Sequence, residues 1–239
     1  NGYIKCIDCF HCCDEELCKI YKDKFFEYCK ASEEFRQYKK PSEKEKEINK
    51  KISFDKLNLK REELKDLIIG KPLSMNHLKY LTVSLYTLYP PLRPSEWCTC
   101  RVYSRASRIK KKLENNYICL TSRKLVFNDY KTYKSYGKME FHISKELLSI
   151  IKDVRKITKS KWLIPKLSNK KEHMNIDAFK KLISRTCGCG ASFLRKLYIS
   201  NEIDNGLNGE KRKELSKRML HSASTQILTY SRFSEICNN

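Results

Sequence analysis

Residues 75–96 read MNHLKYLTVSLYTLYPPLRPSE and carry the clearest local structural signals in the chain. Leucines recur at helical spacing from Met75 to Tyr89, and the pair of prolines that follows would end that helix. A second helix is predicted to start at Arg93, because Pro94 suits the first helical position and Glu96 in the first turn suits the helix dipole. The stretch therefore predicts two helices separated by a proline break, with Arg93 at the start of the second.

The remainder of the chain predicts one β-hairpin among several amphipathic helices. The hairpin strands are predicted at Leu125–Tyr130 and Met139–Ile143, joined through a turn that contains Gly137. Further elements are predicted where the apolar periodicity is strongest: helices at Lys145–Ile157, Asn175–Arg185, Ser192–Ile203, Glu210–Leu220 and Thr225–Phe233, and a short strand at Trp162–Ile164. The predicted fold class is α+β, mainly α, with a small antiparallel β-sheet.

Two regions are expected along the chain. Residues 1–54 are predicted to be a Cys-rich segment and charged linker, and residues 55–239 a compact domain. The charged run Lys39–Lys51 is expected to be a linker or a solvated helix without a core of its own. The Cys6-x-x-Cys9 spacing suits one half of a zinc site, but no second Cys-x-x-Cys follows. A structural zinc ion and ordinary reduced cysteines therefore both stay open for the first region, and no metal or other cofactor is predicted for the compact domain.

The charge of the chain indicates a polyanionic partner. Lysine and arginine number 50 and aspartate and glutamate 28, which gives a formal net charge of +22. Solubility of a small domain needs a net charge of only about 2–8, so the excess favours nucleic acid, here double-stranded DNA. A lysine-rich surface inherited from A+T-rich coding is the alternative. The sequence lacks a signal peptide and a run of about 18 apolar residues, which predicts an intracellular protein at DNA without membrane contact.

Five residues spread over the compact domain form a pattern of their own. Arg93 precedes Glu96 by three residues, Lys131 lies in the predicted hairpin, Arg195 lies on a predicted helix, and His221 precedes Tyr230 by nine residues. In order and spacing this resembles the catalytic domain of the tyrosine recombinases, the phage-integrase family, over residues 73–237. The resemblance implies that family's fold for the compact domain.

The resemblance also implies a chemistry for each residue. Arg93 and Arg195 would clamp the non-bridging oxygens of a phosphodiester, with His221 as a third donor. Tyr230 would be the nucleophile, and Lys131 the general acid that protonates the leaving 5′ oxygen; Lys134 is the alternative acid. The product would be a 3′-phosphotyrosine, so that cleavage and rejoining need neither ATP nor a metal ion.

The sequence departs from the family pattern at three places. Ser192 stands where the family has a histidine, which leaves one donor or proton-transfer role in doubt. The interval from Arg93 to Lys131 is long, and its basic stretch Arg101–Lys112 is expected to be a DNA-tracking loop or helix extension, or else a solvated insertion. The helical arm that precedes the family's catalytic domain is expected to be short, divergent or cut away.

Several functions remain compatible with these residues. The favoured one is a site-specific recombinase or integrase of a virus or other mobile element, which the resemblance implies would act as a homotetramer on two DNA sites. The alternatives are a type IB topoisomerase-like enzyme, a catalytically impaired basic DNA-binding protein of the same fold, and a zinc-ribbon RNA-binding protein.

Overall fold

The computed structural model describes residues 19–21, 23–28, 43–109 and 114–221. The chain divides into two compact units, Asn1–Pro41 and Ser42–Asn239. In the first unit, residues 19–21 and 23–28 are helical. Within the described residues, no helix combines the length and apolar character that crossing a lipid bilayer requires.

The described part of the second unit is mainly helical with two small sheets. Its helices are α1 (Glu43–Lys51), α2 (Phe54–Asp66), α3 (Met75–Thr87), α4 (Pro94–Cys98), α5 (Tyr133–Tyr136), α6 (Lys145–Thr158), α7 (Ile176–Cys187), α8 (Ala191–Asp204) and α9 (Gly209–Arg218). Its strands are β1 (Arg101–Tyr103), β2 (Tyr117–Cys119), β3 (Lys124–Phe127), β4 (Met139–His142), β5 (Pro165–Lys166) and β6 (Asn169–His173). The predicted class, α+β and mainly α, is confirmed.

Helix α3 is the centre of the core, with every residue but one buried from His77 to Thr87. It packs against α2, α6 and α7. Its buried hydroxyls bond back to carbonyls of the preceding turn, as Thr82 does to Leu78 at 2.6 Å, which satisfies polar groups that burial would otherwise penalise. The helix ends at Thr87, two residues earlier than predicted, because the residue before a proline disfavours helical geometry.

The predicted hairpin is confirmed, and it belongs to a larger sheet. Strands β3 and β4 pair antiparallel, with Leu125 opposite Phe141. The sheet has four strands in the order β1-β2-β3-β4, and β1 and β2 run parallel. The basic stretch expected as a loop or helix extension thus begins as strand β1. Three-residue strands are too short to show a periodicity in sequence.

The predicted strand at Trp162–Ile164 is wrong. Trp162 makes only an isolated bridge with Arg101, and the strand that forms is β5, paired with β6. The sequence of β6, NKKEH, has no apolar alternation, so no local pattern indicated it.

Helix α1 forms in the charged run that was expected to be a linker or a solvated helix. Ile48 on this helix and Ile52 just after it pack against the main core. Gly188 adopts a φ of +74°, and a Cβ there would lie 3.0 Å from the Cδ1 atom of Ile52. Glycine at this turn therefore allows the close approach of the α1 end to the α7 end.

Candidate active site

Arg93 forms the N-cap of α4 and pairs with Glu96 one turn later. The Arg93 Nη1 atom donates to Glu96 Oε1 at 3.2 Å. The arginine side chain is 30% exposed and the glutamate 2%. Burial raises the pKa of Glu96, while the charges of Arg93 and Arg195 oppose that rise. The buried glutamate therefore orients Arg93, whose guanidinium stays partly exposed to solvent.

Arg195 lies on α8, is 4% exposed and contacts His221 directly. Its Nη2 atom is 2.9 Å from His221 Nδ1 and donates to the Met219 carbonyl at 3.4 Å. The Met219 carbonyl oxygen also lies 3.4 Å from Nδ1, but the guanidinium contact is shorter and a guanidinium carries only donors, so His221 Nδ1 accepts and the imidazole proton lies on Nε2. Burial, together with the positive charge of Arg195, lowers the pKa of His221 to about 4. His221 is therefore a neutral hydrogen-bond donor at neutral pH.

The end of α9 gives His221 its position. Leu220 has a φ of +55°, and the N–H groups of Leu220 and His221 bond back to the carbonyls of Lys217 and Ser216. This is a Schellman termination, in which the left-handed residue is usually glycine. A leucine there costs about 1–2 kcal/mol of backbone strain, which the burial of its side chain offsets. The termination turns the chain abruptly, so that His221 faces Arg195.

The Leu220 carbonyl joins the α4 segment to the β3–β4 connection. It accepts hydrogen bonds from Arg93 Nη1 at 3.4 Å and from Thr132 Oγ1 at 3.3 Å. The connection is closed on itself by the Tyr130 hydroxyl, which donates to the Gly137 carbonyl at 2.7 Å. Three segments far apart in the sequence thus meet at one backbone oxygen.

The five predicted site residues have the following places. Arg93, Arg195 and His221 lie in one cluster. Lys131 is exposed and adjoins Thr132, whereas the alternative Lys134 is exposed on the short helix α5. Tyr230 lies outside the described residues, as does the predicted helix Thr225–Phe233.

Sequence reasoning missed two contributors to this cluster. Thr132 could have been found from the sequence, because it directly follows the candidate lysine in the hairpin. Leu220 could not, since glycine or asparagine is the residue that usually indicates a left-handed helix end. Ser192, one of the departures from the tyrosine-recombinase pattern, is exposed on the first turn of α8, one turn before Arg195.

The cysteines of the described residues do not form a metal site. Cys98, Cys100, Cys119, Cys187 and Cys189 are buried free thiols, and burial raises the pKa of Cys187 and Cys189 to about 12. Among the described residues, no group of three or more potential metal ligands comes together. Cys6 and Cys9, where a zinc site stayed open, lie outside that part of the chain.

Comparisons with known proteins find similarity among solved structures. No family model matches the chain, and no curated protein matches it either. Among solved structures, the crystal structure of XerA recombinase is similar with a TM-score of 0.48 and 14% sequence identity. The similarity covers 75% of this chain and 59% of that chain, so this chain spans less than two thirds of that protein's length.

Proposed function

We propose that this chain is a tyrosine recombinase, which cleaves and rejoins DNA through a 3′-phosphotyrosine intermediate. One observation carries the proposal: Arg93, Arg195 and Thr132 converge on the backbone and side chain of residues 219–221 at the end of α9. Two arginines beside a neutral histidine suit a phosphodiester whose charge increases during reaction. The net charge of +22 supports DNA as the substrate.

The arginines and the histidine would stabilise the five-coordinate phosphorus. Guanidinium groups make charge-assisted hydrogen bonds to phosphate oxygens in a fixed planar geometry. Arg195 is held by its bond to His221, so its orientation is set before the substrate arrives. His221 would donate from Nε2 without first binding a proton, which makes its contribution independent of pH near neutrality. In many enzymes, donors arranged in advance around developing charge lower the reaction barrier more than any other single effect.

Lys131 is the favoured general acid. Thr132 bonds to the Leu220 carbonyl, which ties the residue next to Lys131 to the residue next to His221. The oxygen of Tyr230 would attack phosphorus after its proton passes to water, as the bond from phosphorus to the 5′ oxygen breaks. The 5′ oxygen takes a proton from the Lys131 ammonium. Reversal of these steps rejoins the strand and restores the phenol, with no net consumption of a high-energy compound.

A nicked duplex that cannot be rejoined tests the proposal. The wild-type chain is expected to accumulate a covalent protein–DNA adduct on this substrate, and Tyr230→Phe is expected to form none. Tyr28→Phe is the matched control, since it removes a hydroxyl from an exposed tyrosine of the first unit, and its adduct yield should equal that of wild type. Absence of any adduct with wild type, or its persistence in Tyr230→Phe, contradicts the proposal.

Ser192 favours a second candidate, a basic DNA-binding protein of this fold that has lost catalysis. A serine has one hydroxyl donor and no charge to offer where the family has an imidazole. The same trapping experiment separates the two, because the second candidate binds the duplex and forms no adduct. Recombination of paired sites, against relaxation of a supercoiled plasmid without such sites, separates a recombinase or integrase of a mobile element from a topoisomerase-like enzyme. A tetramer on paired sites belongs to the first of these.

A further inference from the structure

A second concentration of positive charge lies at the opposite end of β3 from Lys131. A cavity of about 570 Å³ opens there between the β2–β3 turn and helix α6. Its cationic lining consists of Arg123, Lys152, Arg155, Lys156 and Lys159. Arg123 directly precedes β3 and the β3–β4 connection follows it, so four residues at about 3.4 Å each separate the two ends by roughly 13 Å. The cavity is therefore distinct from the candidate active site.

Four of the five cations form a stripe along α6. Lys152, Arg155 and Lys156 are spaced i, i+3 and i+4, which places them on one side of the helix, and Lys159 is the C-cap residue that follows them. The neighbouring side of the helix is buried in the core through residues such as Val154. At 1.5 Å per residue the stripe is about 10 Å long. One strand of B-DNA carries about three phosphates over that distance.

Carboxylates balance little of this charge. Among the described residues, only Lys156 of the five has an ion pair, with Asp153 at 3.5 Å, and both of those side chains are mostly exposed. Arg155 is half-buried and donates to the Ser104 hydroxyl at 3.1 Å. Burial lowers the pKa of Arg155, and the nearby charge of Arg108 adds to that effect. A partly desolvated cation beside another cation is stabilised when an anion binds.

Two of the side chains that line the cavity belong to residues with a strained, left-handed backbone. The non-glycine residues with positive φ in the described part of the chain are Arg123, Lys159 and Leu220. Two of the three line the cavity, and each costs about 1–2 kcal/mol. The helix dipole accounts for cations at the end of α6, but it does not account for Arg123, which comes from a β-turn opposite the helix.

We propose that this cavity binds the phosphate backbone of DNA at a distance from the reaction centre. The partner's identity as DNA rests on the proposed function, whereas the cavity's preference for phosphate follows from its own side chains. The phosphates bound here are ones other than the phosphate at which the strand is cleaved. They add affinity without reading base sequence.

The test compares two double variants in a chain that carries Tyr230→Phe, so that no covalent adduct contributes. Lys152→Gln with Lys159→Gln removes two charges from the cavity, and Lys180→Gln with Lys181→Gln removes two from the exposed surface of α7. Affinity for a duplex is measured as a function of salt. The cavity variant is expected to lower the slope of log K against log salt by about 2, at roughly 0.9 per phosphate contact, and the α7 variant to leave it unchanged.

Equal slopes for the two variants overturn the proposal. Binding of inorganic pyrophosphate that the cavity variant loses, with its DNA slope unaltered, also overturns it, because the site would then serve a small phosphate ligand. A lowered slope in the cavity variant supports the proposal even where the wild-type chain forms no adduct on a nicked duplex. The failure of the proposed function is therefore distinguishable from the failure of this inference.

Discussion

Arg93 and Thr132 donate hydrogen bonds to the same acceptor, the carbonyl oxygen of Leu220, at 3.4 and 3.3 Å. This oxygen precedes His221, whose ring contacts Arg195. A small displacement of Leu220 would therefore move the position of one arginine and of the histidine and loosen the hairpin that bears Lys131. The arrangement couples the groups proposed to bind phosphate to the candidate general acid through backbone atoms.

Thr132→Val is expected to slow adduct formation about three- to tenfold, because one hydrogen bond contributes about 0.5–1.5 kcal/mol. Thr132→Ser keeps the hydroxyl and should restore most of the rate. The rate of adduct formation in a single turnover on the nicked duplex is measured as a function of pH. This measurement distinguishes a displaced hairpin from a chain that has partly unfolded. Equal rates for the valine and serine variants would show that the bond to Leu220 has no part in positioning Lys131.

Arg93→Ala and Arg195→Ala are each expected to abolish cleavage while leaving most of the salt-dependent DNA binding intact. The reason is that their interactions strengthen with the charge of the transition state, whereas binding is distributed over many cations. Parallel trapping and equilibrium binding measure the two effects. A collapse of affinity together with activity would indicate that these arginines only hold backbone phosphates.

The pKa of His221 predicts a pH-dependent stability. Its folded value of about 4 lies below the unfolded value of 6.5, so the unfolded state binds more protons between these two pH values. The contribution of the neutral ring is fully present above about pH 6.5 and is lost as the pH falls toward 4. The loss amounts to about 3 kcal/mol at 1.36 kcal/mol per pKa unit.

Urea unfolding of wild type and His221→Gln, measured at pH 7 and at pH 4.5, checks this sign. The free energy of unfolding of wild type should fall more steeply than that of the variant over this interval. Glu96 has a raised pKa and acts in the opposite direction, but both proteins contain it. A difference between the two proteins that stays constant with pH would contradict a neutral His221.

Because Leu220 has a left-handed backbone, its glycine variant is predicted to be more stable than its alanine variant, the reverse of the order inside a helix. Leu220→Ala and Leu220→Gly both lose the buried side chain, at about 2–5 kcal/mol, but glycine also relieves the strain of positive φ. The glycine variant should therefore be the more stable by about 1 kcal/mol. Leu215, buried inside α9, is the matched control. Its alanine variant should be more stable than its glycine variant by about the same amount. Thermal unfolding of the four variants tests this prediction. If alanine is more stable than glycine at both positions, the prediction for Leu220 is wrong.

The sequence by itself determined the helices around residues 75–96, the β3–β4 hairpin, the excess of cations and the order of the candidate residues. These features follow from periodicity, proline placement and composition, which are local properties of the chain. The role of Tyr230 rests on sequence alone, because that residue lies outside the described part of the structure.

Only the tertiary structure decided the neutral state of His221, the shared acceptor at Leu220 and the cationic cavity at Arg123. Each depends on atoms from segments distant in sequence: burial beside Arg195 sets the protonation of the imidazole, and core packing holds a leucine in a left-handed conformation. Local propensity cannot encode these contacts, because their energies exist only once the segments have been brought together. The parallel pairing of β1 with β2 escaped prediction for the same reason.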